Sequence, residues 1–137
     1  ENYDLKTWEK VLKVNLTSSF MLSRYLLPIL KISEIPRIIF TSSGVAKKGS
    51  SFWGASSISK GGIKILAEIL KDEVETTSKL KIFNFDPKAT RTNMRAHAFP
   101  AEDPLQLKKP DELIKYYLWM LSEESSGSEN NYIEYED

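Results

Sequence analysis

The chain has 137 residues with 19 basic and 19 acidic side chains, no cysteine, 41% hydrophobic and 28% charged residues. That length fits one domain able to bury roughly two thirds of its unfolded surface without disulfide or metal staples, and zero formal charge argues against a surface built to neutralise nucleic-acid phosphate or anionic lipid. The missing cysteines remove disulfide frameworks, Cys-based zinc sites and thiol nucleophiles, and fit a reducing compartment.

No apolar run is long enough to span a bilayer and no basic-then-apolar leader opens the chain, so it reads as soluble and cytoplasmic, with no membrane partner. It opens with Glu1 rather than an initiator Met, so the expectation is a piece of something longer. From Asp4, an N-cap, to Lys31 the apolar residues Leu5, Trp8, Val11, Leu12, Leu16, Leu22 and Leu26 keep helical spacing. A second set, Val14, Phe20, Met21, Tyr25 and Ile29, lies around the other side, which predicts a helix buried on two sides, bent or ended by Pro28. Arg37 to Ser42 is a short run rich in β-branched and apolar residues that suits a buried strand. A polar loop then leads into a second helix from Trp53 or Gly54 to about Thr77.

Leu80 to Phe85 is a second strand, broken by Asp86 and Pro87. Residues 86 to 109 read as loop with one short helix. Pro110, followed by Asp111 and Glu112, opens a third helix through Leu121. Glu123 to Asn131 is a polar linker, and Tyr132 to Tyr135 a last short strand. The order helix, strand, helix, strand, helix, strand predicts an α/β fold: a parallel sheet covered by helices and joined by right-handed crossovers. Such sheets hold ligands beyond the carboxyl ends of their strands, so chemistry is sought in the loops after Ser42, Phe85 and Tyr135.

The first of these loops offers Ser42 and Ser43, and the helix that follows carries Lys60. A hydroxyl and an ammonium at a strand end can orient a carbonyl and stabilise charge developing on it. Equally, serines cap and turn, and lysines on helices are usually solvated. Read whole, three segments change that balance. They are Trp8 to Thr17, Arg37 to Ser43, and Trp53 to Lys60, and together they resemble the C-terminal half of a short-chain dehydrogenase/reductase, a Rossmann-type doubly wound sheet. Within that family, Thr90 to Pro104 looks like the bacterial YciK-type oxidoreductases.

The resemblance implies an NAD(P)-dependent oxidoreductase that moves hydride between the cofactor and a small-molecule carbonyl or alcohol. It also implies a catalytic tetrad of Asn, Ser, Tyr and Lys. Asn15 matches the Asn whose main-chain carbonyl helps hold a water in the proton relay. Ser43 matches the Ser that hydrogen-bonds the substrate oxygen, and Lys60 the Lys that binds the nicotinamide ribose and lowers the tyrosine's pKa. The tyrosine is expected four positions before Lys60, where this sequence has Ser56. A phenol titrates near 10 and can be drawn toward neutrality by a cation, whereas an aliphatic hydroxyl is a far weaker acid and shorter. A lost general acid is worth about 10² to 10⁴ in rate, so the chain alone is expected to be inactive.

Two further departures concern the cofactor. The family's Pro-Gly after the next strand is Pro87 Lys88 here, and the Lys88 side chain either crowds the dinucleotide, which is the expectation, or points outward. Thr90 and Thr92 match positions that contact the nicotinamide carboxamide and its surroundings. The glycine-rich phosphate turn of the family has no counterpart, since no G-x-x-x-G-x-G occurs and Gly61 Gly62 falls inside a helix. The domain expectation is therefore a single partial unit over 1–137 that lacks the dinucleotide-binding half. In the family, helices corresponding to 4–31 and 53–77 pair with their copies, so a homo-oligomer, a dimer first, or a full-length family subunit is the expected partner. The alternative function is a non-catalytic assembly remnant. His97 has no second ligand at metal-binding spacing, Trp8, Trp53 and Trp119 read as core or interface residues, and Lys108 Lys109 is too short to bind nucleic acid.

Overall fold

The computed structural model describes residues 3–136. Helix α1 (Leu5–Leu12) starts where the Asp4 carboxylate accepts hydrogen bonds from the Thr7 amide at 2.9 Å and hydroxyl at 2.8 Å. Over Lys13–Thr17 the coil widens into a π-helical turn, in which the Ser18 amide reaches back to the Lys13 carbonyl, and it tightens again into α2 (Ser18–Leu30). The one helix expected over 4–31 is thus two α-helical segments joined by a π turn, a feature often found at functional sites. Pro28 is accommodated near the end of α2, which stops two residues later.

Strand β1 (Arg37–Thr41), helix α3 (Gly54–Val74), strand β2 (Lys81–Asp86), helix α4 (Asn93–Ala98), helix α5 (Ile114–Leu121) and strand β3 (Tyr132–Glu134) follow. The third helix starts later than Pro110 because Pro110–Leu113 forms a 3₁₀ turn first, and the predicted linker opens with another at Glu123–Gly127. The strands form one parallel sheet in the order β1-β2-β3, with Ile38 opposite Ile82, Phe40 opposite Asn84, and Asn84 opposite Tyr132.

Each face of the sheet carries its own core. Ile38, Phe40 and Ile82 pack with Leu16, Leu27 and Leu30 and with Ile63, Leu66, Ala67 and Leu70 of α3. Ile39, Phe83, Phe85 and Ile133 pack instead with Leu113, Tyr116, Tyr117, Trp119 and Met120. Helices on both faces make the sheet doubly wound. They also correct the expectation of uniformly right-handed crossovers. With the strands parallel and in sequential order, two crossovers of one hand would lay α3 and α5 on the same face, so one of the two breaks the rule. The long segment between β2 and α5, carrying α4, gives the chain the slack to change faces.

A second correction concerns α1 and α2. Only one side of this helical stretch meets the core; Val14, Phe20, Met21, Leu22, Tyr25 and Ile29 on the rest of its surface are exposed.

Candidate functional site

Strand β1 ends at Thr41, and Ser42 is held against β2 by its amide, which donates to the Phe85 carbonyl at 2.6 Å. Ser43 is extended and half-buried, opening a short 3₁₀ turn at Gly44–Ala46, and no hydrogen bond to its hydroxyl occurs among the described residues. Lys60, two turns into α3, donates from Nζ to the Thr41 carbonyl at 2.6 Å, so its amine lies at the strand end two residues before Ser43. Burial lowers its pKa, the charged form being the more costly to desolvate.

Asn15 sits at the middle of the π turn. Its Nδ2 donates to Ser59 Oγ at 3.0 Å, and Ser59 Oγ donates in turn to the Ser56 carbonyl at 3.1 Å. The Asn15 main-chain carbonyl accepts the Ser19 hydroxyl at 2.6 Å. Asn15, Ser56, Ser59 and Lys60 are therefore gathered along the first turns of α3, next to Ser43. From sequence Ser59 offers only the same weak hydroxyl as Ser56, although a signal for this contact is present. It lies on the buried stripe Ala55, Ser59, Ile63, Ala67, where a hydroxyl must find a partner.

The loop after β2 supplies the other half. Pro87 is half-buried, and Lys88 has φ of 56°, a left-handed backbone that suits glycine. Its amide donates to Asp86 Oδ1 at 2.9 Å. Its ammonium is hydrogen-bonded to Glu134 Oε1 on β3 and lies 3.6 Å from Asp86 Oδ2, while Lys47 meets Glu134 Oε2 at 2.6 Å. The hydrogen bond to Glu134 raises the Lys88 pKa, and the two lysines lower that of Glu134. The Lys88 side chain is thus held between two carboxylates, Asp86 at the end of β2 and Glu134 on β3.

Thr90 is buried, and its hydroxyl donates toward the carbonyls of Pro87 at 3.3 Å and Lys88 at 3.2 Å. Thr92 is the N-cap of α4, its hydroxyl accepting the Arg95 amide at 3.1 Å. Both threonines thus shape the loop, and no hydrogen bond joins them to the Ser43–Lys60 group among the described residues.

At the start of β3, the Tyr132 hydroxyl lies 3.4 Å from Ser42 Oγ, and burial raises its pKa. His97 is exposed with Nδ1 2.6 Å from the Asn93 carbonyl, and the described residues hold no group of three or more metal-ligating side chains. A groove of about 520 Å³ lined by Lys115, Trp119, Tyr132, Ile133 and Glu134 runs along β3 and adjoins the Tyr132–Ser42 and Lys88–Glu134 contacts. No helix is long and apolar enough to cross a membrane among the described residues.

Comparison with known proteins extends this geometry. A sequence model described as short chain dehydrogenase matches residues 1–103. The chain is 39% identical over 120 residues to the oxidoreductase YciK of Escherichia coli K12, covering 88% of this chain and 47% of that protein. It is 32% identical over 94 residues to a benzil reductase ((S)-benzoin forming) of Saccharomyces cerevisiae, covering 68% of this chain and 35% of that one. It therefore spans about half, or less, of the length of the curated relatives it matches. Among solved structures, YciK from E. coli superposes with a TM-score of 0.90 at 35% identity over 97% of this chain and 53% of that one. A short chain dehydrogenase from E. coli CFT073 complexed with NADPH gives 0.91 at 36% identity, over 97% of this chain and 55% of that one.

Proposed function

Because the chain belongs to the short-chain dehydrogenase family, we propose that it is the substrate-side portion of an NAD(P)-dependent oxidoreductase acting on a small-molecule carbonyl or alcohol. The observation that carries this reading is Lys60 anchored at the end of β1, its pKa lowered by burial, with Ser43 two residues beyond its Thr41 contact. In this reading Ser43 orients the substrate oxygen and Lys60 holds the nicotinamide ribose, with Pro87, Thr90 and Thr92 forming the wall toward the carboxamide. Asn15, through Ser59 and the Ser56 carbonyl, keeps the first turns of α3 in register with Lys60.

The residues present fit the nicotinamide end of the cofactor. Lys88 keeps the left-handed turn expected of the glycine it replaces, and its side chain is diverted to Glu134. The pyrophosphate end finds no glycine-rich turn in these 137 residues, so binding of NAD(P) calls for the dinucleotide-binding half, and 1–137 functions as a partial domain. When bound, the cofactor supplies or accepts the hydride. What this chain lacks is the proton donor, because Ser56 offers neither the acidity nor the reach of a phenol. A cytoplasmic location goes with this reading.

The test is NADPH oxidation with a panel of simple ketones and aldehydes. The chain alone is expected to show none; turnover above a Lys60→Ala control would refute the predicted inactivity. Ser56→Tyr, joined to a glycine-rich half of a family member, is expected to raise the rate by about 10² to 10⁴ over Ser56 in the same setting. No gain would refute the assignment of Ser43, Ser56 and Lys60.

A second reading is favoured by one specific observation. The exposed apolar residues Val14, Phe20, Leu22, Tyr25 and Ile29 on α2 and its approach, with Ile58, Ile65 and Ile69 on α3, suit a non-catalytic subunit that pairs through these helices with a copy of itself or a full-length family member. A chain that sediments as a monomer at high concentration would sink it.

A further inference from the structure

The segment after Thr92 makes a contact that the proposed chemistry does not use. The rings of Trp53 and Phe99 are stacked, 17° from parallel with centroids 5.6 Å apart. The Arg95 guanidinium carbon lies 3.7 Å from the Phe99 ring centroid. That guanidinium is itself fixed by Glu102, through Nε to Oε2 and Nη2 to Oε1, both at 2.7 Å. Ring, cation and carboxylate thus form one column at the end of α4.

The other member of the stack stands at the head of the catalytic helix. Trp53 is the N-cap of α3, one turn before Ser56. It is delivered there by Phe52, whose φ of 68° is unfavourable for a bulky residue and whose ring is 95% exposed. Burial of Phe52 therefore cannot be what holds this turn. Its consequence is the placement of Trp53 against Phe99.

We propose that Trp53, Phe99 and Arg95 are positioning residues that pin the far end of α4 to the head of α3. Because α4 is capped at its other end by Thr92, the pin fixes the spacing between the Thr90–Thr92 wall and the Ser56 turn. The proposal rests on the reading of those residues as the site. Its test, however, reads the contact and not turnover, so failure of the NADPH assay would leave its outcome unaffected.

The experiment is site-resolved limited trypsinolysis of the folded chain, followed by mass spectrometry. Arg95 must leave Phe99 and Glu102 to enter the protease, so cleavage after Arg95 reports the unpinned population. Cleavage after Lys81, at the start of the buried strand β2, reports global unfolding. Phe99→Ala is expected to speed cleavage after Arg95 by about tenfold, from loss of the stack and the cation–π contact; because the unfolded chain lacks the same contact, cleavage after Lys81 rises by no more than that factor and stays the slower of the two. Phe99→Tyr, which keeps ring and cation, is expected to behave as the native chain. An unchanged rate after Arg95 in Phe99→Ala, cleavage after Arg95 no faster than after Lys81 in the native chain, or failure of Phe99→Tyr to rescue would overturn the proposal.

Discussion

Two adjacent glycines in α3 provide a sharp test of how the site is packed. A Cβ on Gly61 would come no nearer than 3.7 Å to the Ala46 carbonyl oxygen, an ordinary contact. A Cβ on Gly62 would fall 2.8 Å from Leu16 Cδ2 and 3.0 Å from Cδ1. Each Gly→Ala change inside a helix should gain about 1 kcal/mol of propensity, so that contribution cancels between the two variants. Overpacking costs about 1–3 kcal/mol, and Leu16 cannot yield freely because it packs against the core built on Phe40 and Ile63. Gly61→Ala should therefore be about 1 kcal/mol more stable than the native chain, and Gly62→Ala between unchanged and about 2 kcal/mol less stable. Urea unfolding followed by far-ultraviolet circular dichroism measures both. Equal stabilisation by the two substitutions would refute the close approach of α3 to the π turn, and with it the basis for the Asn15–Ser59 contact one residue away.

Other consequences are simpler. Asn84 is buried on β2 with neither amide atom hydrogen-bonded among the described residues, so Asn84→Leu, with the same branching, should raise stability by about 1–3 kcal/mol; a lowered urea midpoint would show that the amide is satisfied. Arg37 donates to the carbonyls of Pro36, Met120 and Ser122 and to the Ser126 hydroxyl, tying the end of α5 to β1. Arg37→Ala should therefore lower stability by about 2 kcal/mol, and an unchanged thermal midpoint would discount the tie. Because the folded chain depresses the Lys60 pKa, the unfolded chain binds that proton more tightly. The cost is full below the folded pKa and is relieved as pH rises toward the ordinary value of 10.5. Stability of the native chain relative to Lys60→Met should accordingly rise from neutral pH toward about 10.5, and a flat difference would refute the desolvation of Lys60.

Much of the fold was legible because it follows from local periodicity. Of the apolar positions that helical spacing offers in α3, Ile63 and Val74 are buried while Ile58, Ile65 and Ile69 are exposed, and the strand Lys81–Asp86 announces its burial through Ile82, Phe83 and Phe85. What escaped was non-local. Which face α5 takes depends on the length of the preceding loop and on the fit of Phe83 and Phe85 to Trp119 and Tyr117, not on α5 alone. The direction of the Lys88 side chain was set by Glu134, 46 residues away, on a strand whose neighbour could not be known from spacing. Motif order singles out Ser43, Lys60 and Asn15 as candidates, whereas the part of Ser59 in connecting Asn15 to the Ser56 turn needs the packing of two helices to be seen. The expected two-sided burial of α2 failed for a related reason: periodicity reports which residues are apolar, not what covers them.

The two departures from the family pattern act differently on the site. At position 88 the backbone keeps the left-handed conformation, at a strain of about 1–2 kcal/mol for a residue with a Cβ, and the added side chain is drawn off by Glu134 and Asp86. The substitution thus weighs on stability and leaves the turn intact. At position 56 the departure, on the proposed reading, bears on the chemistry. Tyr132, the phenol nearest the end of β1 by hydrogen bonding, faces Ser42, and burial raises its pKa instead of lowering it. Lys60 meanwhile spends its amine on a backbone carbonyl, retaining the cation that would acidify a phenol beside it without the phenol. On the proposed reading, turnover depends on position 56, and relieving the strain at Lys88 is not expected to substitute for it.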